Sequence, residues 1–82
     1  MESAKLLESV LMKLIVPRYN LVGVKVKTFG GTWQMFDVVY FHKKDKDISV
    51  SLARKLTDET VNLWEMLSLS KNADITVWFN KK

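Results

Sequence analysis

Eighty-two residues, 48% of them hydrophobic, with 13 basic against 9 acidic side chains, describe one small basic domain, too short for two separate cores and too apolar to stay disordered. The chain has no cysteine, which excludes a disulfide scaffold, a thiolate nucleophile and a Cys-ligated metal, and suits a reducing cytoplasm as the expected location. No apolar run approaches the ~18 residues needed to span a bilayer, so no membrane-spanning segment is expected.

Glu2, Lys5, Glu8 and Lys13 interrupt the first 16 residues, which therefore read as structural and not as a signal peptide or mitochondrial presequence. Ser3 is a candidate cap. Leu6, Leu7, Val10, Leu11 and Leu14 fall within an arc of about 140° at helical spacing, opposite Lys5, Ser9 and Lys13. A first helix is predicted over about residues 4–15, ended by Pro17.

Leu21 to Phe29 alternates, with Val22, Val24 and Val26 on one side and Gly23, Lys25 and Lys27 on the other. Gly30-Gly31 suits a tight hairpin, and Thr32 to His42 is rich in β-formers. Lys43 to Asp47 is a polar turn. Ile48, Val50 and Leu52 alternate with Ser49 and Ser51 and predict a third strand. Thr57 is expected to cap a second helix with Leu63, Trp64, Met66 and Leu67 as its apolar arc. Ala73, Ile75, Val77 and Phe79 alternate with Asp74, Thr76 and Trp78 as a last strand. The expected fold is α+β: two layers, a mainly antiparallel four-stranded sheet with two helices, in the order α-β-β-β-α-β.

If Gly30-Gly31 is a two-residue loop, Phe29 faces Thr32, and register then fixes both faces of the hairpin. Val22, Val24 and Val26 share an inner face with Met35, Asp37, Val39, Trp33 and Phe41. The outer face carries Leu21, Lys25, Lys27, Gln34, Phe36, Val38 and Tyr40, joined by Thr76 and Trp78. A buried Asp37 would have to be paired, hydrogen-bonded or protonated. A three-residue loop would turn it outward.

Eleven of the 13 basic residues are lysines, and residues 21–55 hold seven basic and three acidic side chains, which concentrates the charge there. Lysines interleaved with aromatic rings on an open sheet suit nucleic acid, the rings stacking on bases and the lysines neutralising phosphates. The expected function is a non-catalytic DNA- or RNA-binding module of weak sequence specificity. Lys25, Lys27, Lys43, Lys44 and Lys46 would contact phosphate, Phe36, Tyr40 and Trp78 would stack, and Gln34 lies on the same face. Only Arg18 and Arg54 offer the bidentate fork used in base reading. The alternative is a small regulator or inhibitor that binds a larger protein, or a homodimer, through the same face. The plain alternative to both is that a helix covers the face.

No enzyme, metal or cofactor is expected. His42 stands alone without Cys or a carboxylate cluster at ligand spacing, and reads as structural. Ser49 and Ser51 lack the glycine-flanked elbow of a nucleophile, and Gly30-Gly31 lacks the Gly-Lys-Ser/Thr ending of a phosphate loop.

Overall fold

The computed structural model describes residues 2–82 and runs α1 (Ser3–Leu14), β1 (Gly23–Gly30), β2 (Gln34–His42), α2 (Val50–Met66) and β3 (Ala73–Lys81). The strands form one sheet in the order β1-β2-β3, with β1 antiparallel and β3 parallel to β2. The expected four-stranded, mainly antiparallel sheet is thus corrected to a three-stranded mixed one, still α+β with two helices.

The missing strand is the start of α2. Ser49 takes the extended N-cap conformation, and its Oγ accepts from the Leu52 amide at 3.1 Å, which satisfies a donor the helix leaves free. The alternation of Ile48, Val50 and Leu52 stops there. From Leu52 onward the helical spacing takes over, through Leu56, Thr60, Leu63, Trp64 and Leu67. Thr57 is inside the helix rather than at its cap, and its hydroxyl donates to the Ala53 carbonyl. Met66, placed on the apolar arc, is exposed. One element now separates β2 from β3. The chain crosses the sheet once, through α2, and returns at the end where β2 began, so β3 runs parallel to β2.

α1 lies within one residue of its predicted bounds. Glu2 holds the N-cap position without a side-chain bond, and Ser3 is helical rather than capping. The buried seam is Ala4, Leu7 and Leu11, extended by Ile15 and Val16. Leu6 and Val10 are half-buried and Leu14 is exposed. The seam is rotated from the expected stripe, and at its end the amides of Ile15 and Val16 both bond the Leu11 carbonyl, a turn that carries these two side chains into the core.

The hairpin departs from expectation in register. Gly30 pairs with Gln34, and three residues, Gly31-Thr32-Trp33, connect the strands. The offset from the two-residue loop is odd, so every β2 side chain changes face. Val24 and Val26 now lie with Tyr40, Val38 and Phe36, all buried against the helices. The Phe36 ring meets Trp64 of α2 edge-on at 5.8 Å, and Tyr40 stacks on Phe79 at 6.0 Å. Thr60 donates to the Leu56 carbonyl and so accepts from the Tyr40 hydroxyl, at 2.6 Å, which ties the middle strand to α2. The Trp64 indole N–H is buried without a partner among the described residues.

The connection also decides which glycine matters. Gly30 has φ +109°, and a Cβ there would collide with the Trp33 carbonyl oxygen. Gly31 has open space at its Cβ position. Gly30→Val should therefore destabilise by about 1 kcal/mol or more, while Gly31→Val should be near neutral. Urea denaturation of both variants checks this, and equal midpoints would reject the three-residue connection.

Candidate nucleic-acid interface

Both helices pack into one core on one side of the sheet, and among the described residues the opposite side carries no element. On that open face the strands alternate outward: Lys25, Lys27 and Phe29 from β1, Met35, Asp37, Val39 and Phe41 from β2, and Asp74, Thr76, Trp78 and Asn80 from β3. The register brings Lys25 opposite Val39, which is itself beside Trp78, and Lys27 opposite Asp37. Lys25, Lys27, Asp37, Val39, Trp78 and Asn80 line a shallow depression of about 260 Å³.

Three of the sequence-predicted site residues thus come together: Lys25, Lys27 and Trp78. Phe36 and Tyr40 do not. They are 1% and 0% exposed, in the core behind the face, and are withdrawn as stacking residues. The residues expected inside, Asp37, Val39, Met35 and Phe41, are on the open face with the lysines. Asp37 needs no burial of charge, because the three-residue connection turns it toward Lys27. Gln34 is exposed at the start of β2, and its parity is that of the helix side.

Lys43, Lys44 and Lys46 are exposed on the loop after β2, at the end of the sheet where Lys81 and Lys82 close β3. His42 shapes that loop. It is buried, and its Nδ1 lies 2.7 Å from the Lys46 carbonyl and 3.2 Å from that of Lys43, so Nδ1 carries the proton and donates. Lys81 reaches back to Asp47 at 2.8 Å, and its ammonium holds that carboxyl below the usual carboxylate range. Lys82 sits 4.9 Å from the centre of the Phe41 ring.

Sequence reasoning missed Phe29, Trp33 and Phe41 as members of the open surface. Phe29 and Trp33 are 56% and 53% exposed, comparable with Trp78 at 52%. Trp33 is held in place by a 3.1 Å bond from its indole N–H to Asp74. The signal for Phe29 was the β1 alternation itself, which puts it with Lys25 and Lys27, whereas the faces of Trp33 and Phe41 depend on the three-residue connection.

Among the described residues, no group of three His, Asp or Glu side chains converges as a metal site. No helix among them is long and apolar enough to cross a membrane. The chain matches no protein-family model, no curated protein and no solved structure.

Tyr40 leaves a measurable trace of its position. Burial, the largest cause, pushes its hydroxyl from 10.0 up to about 12. The unfolded chain ionises this group near pH 10 and the folded chain only near 12, so its contribution is intact below pH 10 and is lost as pH rises between those values. Tyr40→Phe should cost about 1 kcal/mol at pH 7, through the lost hydrogen bond, and should lose less stability than the parent between pH 10 and 12. Thermal melts across that range check it; equal losses would place the titration elsewhere.

Proposed function

We propose that this protein is a non-catalytic module that binds single-stranded nucleic acid on the open face of its sheet. The observation that carries the reading is the depression lined by Lys25, Lys27 and Trp78 on a face that neither helix covers. A base stacks on the exposed Trp78 ring while the two lysines, spaced along β1, meet the adjoining phosphates. Asp37 and Asn80 at the same depression accept from, or donate to, base edges. The lysines of the loop and of the β3 terminus extend the basic track beyond Phe41.

Single strands fit better than a duplex, because a ring standing on a sheet needs an unstacked base to cover it. Arg18 lies in the connection after α1 and Arg54 in α2, both off the open face, which favours low sequence specificity. The second reading, a surface for a larger protein partner, draws on Phe29 and Trp33, which extend apolar surface to the end of the sheet away from the loop lysines.

Fluorescence anisotropy with labelled single-stranded DNA and RNA, at two salt concentrations, tests the proposal. Lys25→Gln with Lys27→Gln should weaken binding to all sequences and reduce the salt slope by about 1.4, the value for two phosphate contacts on a single strand. Trp78→Ala should cost ~1–3 kcal/mol with the slope unchanged. A folded protein that binds neither DNA nor RNA at low salt would end this reading and leave the protein-partner surface.

A further inference from the structure

The two edges of the sheet differ. At the β1 edge, Glu8 of α1 accepts from the Val26 amide at 2.8 Å, so a carboxylate occupies the edge and α1 stands beside it. At the β3 edge nothing among the described residues pairs with the strand. β3 is nine residues long, and its stretch Ile75-Thr76-Val77-Trp78-Phe79 contains no charge, proline or glycine. An unguarded edge of this length and composition is a template for another strand.

The hydrogen-bonding parity of that edge follows from two bonds. The Asn72 carbonyl accepts from Gln34, and the Lys82 amide donates to His42, so even-numbered residues direct their backbone groups at β2. The odd-numbered residues Ala73, Ile75, Val77, Phe79 and Lys81 therefore offer theirs to the free edge. These same residues have their side chains on the helix side of the sheet.

We infer that a second copy of this chain pairs on this edge, antiparallel, about a two-fold axis near Val77 perpendicular to the sheet, giving a continuous six-stranded sheet. Such an axis keeps helix-side residues opposite helix-side residues. It sets Val77 against its own mate, and Ile75 against Phe79 of the second copy, all β-branched or aromatic pairs at hydrogen-bonded positions. On the open face Asp74 comes to lie opposite Asn80 of the second copy, whereas in-register parallel pairing would set Asp74 against its own mate. Lys71 lies beyond the paired span.

A cavity of about 680 Å³ supports the same partner. It is a groove between the first turns of α2 and the end of β3, lined by Val50, Ala53, Thr57 and Phe79 among others. Val50 on its rim is 72% exposed. In the antiparallel register, Ile75 of the second copy stands across from Phe79 with its side chain on the helix side, and so enters this groove. The two open faces become one, with a Trp78 on either side of the axis.

The inference does not rest on nucleic-acid binding and is tested without nucleic acid. Sedimentation velocity should give twice the 9.5 kDa of one chain at concentrations reaching those of an NMR sample. Val77→Pro removes an amide that serves only the free edge, so it should leave a folded monomer. Since the chain has no native cysteine, the Thr76→Cys variant, on the open face and diagonal to its mate across the axis, should be joined by a short bis-maleimide, while Ser9→Cys on the exposed side of α1 should not. A mass of one chain throughout, or a dimer that the bis-maleimide fails to join in the Thr76→Cys variant, would overturn the inference.

Discussion

Three residues between β1 and β2 set the parity of the hairpin, and both the core and the open face depend on that parity. With Gly30 opposite Gln34, Val24 and Val26 bury together with Phe36, Val38 and Tyr40. The same step leaves Lys25 and Lys27 with Asp37 and Val39 on the other side. A two-residue loop would bury Asp37 among valines and expose two large aromatic rings. That register would also turn Met35, Val39 and Phe41 inward in place of Phe36, Val38 and Tyr40, an exchange of one apolar set for another, so the carboxylate decides: burying it unpaired costs several kcal/mol. The longer connection avoids that cost, and the positive φ of Gly30 makes it accessible.

The middle strand then becomes the anchor of the domain. Phe36 and Tyr40 meet Trp64 and Thr60 of α2, while Val24 and Val26 sit under the Leu7 and Leu11 seam of α1 in the same core. The Tyr19 hydroxyl and Arg18 both hold Glu59, so the connection after α1 is fastened to α2 as well. Arg18 is largely exposed, and its ion pair contributes little. All of this packing lies on one side of the sheet. A three-stranded sheet with two helices on one face has no further element to cover the other, which is why the lysine and tryptophan side chains there remain open.

Much of this organisation is legible in the residues. The α1 bounds, the alternation of β3 and the pairing of two strands across Gly30 follow from periodicity and turn chemistry. Two features are not. Ile48-Ser49-Val50-Ser51-Leu52 alternates over five residues, too few to separate a strand from the capped start of a helix, and the deciding contact is the Ser49 bond to the Leu52 amide. Gly30-Gly31 permits either loop length, and local sequence does not choose between them. The choice lies in tertiary burial, above all the Tyr40–Thr60 hydrogen bond, which joins residues twenty positions apart. Of the candidate site, Lys25, Lys27 and Trp78 were therefore legible as a group, because their faces do not depend on β2, whereas Phe36 and Tyr40 were misplaced.

The central claim is the register, and interstrand NMR contacts read it directly. The Val26 amide points away from β2 to Glu8 of α1, so even-numbered β1 residues form the close, non-hydrogen-bonded pairs with β2. Hα–Hα cross-peaks are expected between Val24 and Tyr40, Val26 and Val38, and Thr28 and Phe36. Cross-peaks between Val24 and Asp37 and between Val26 and Met35 in their place would return Phe36 and Tyr40 to the open face and contradict the structure of both the core and the site.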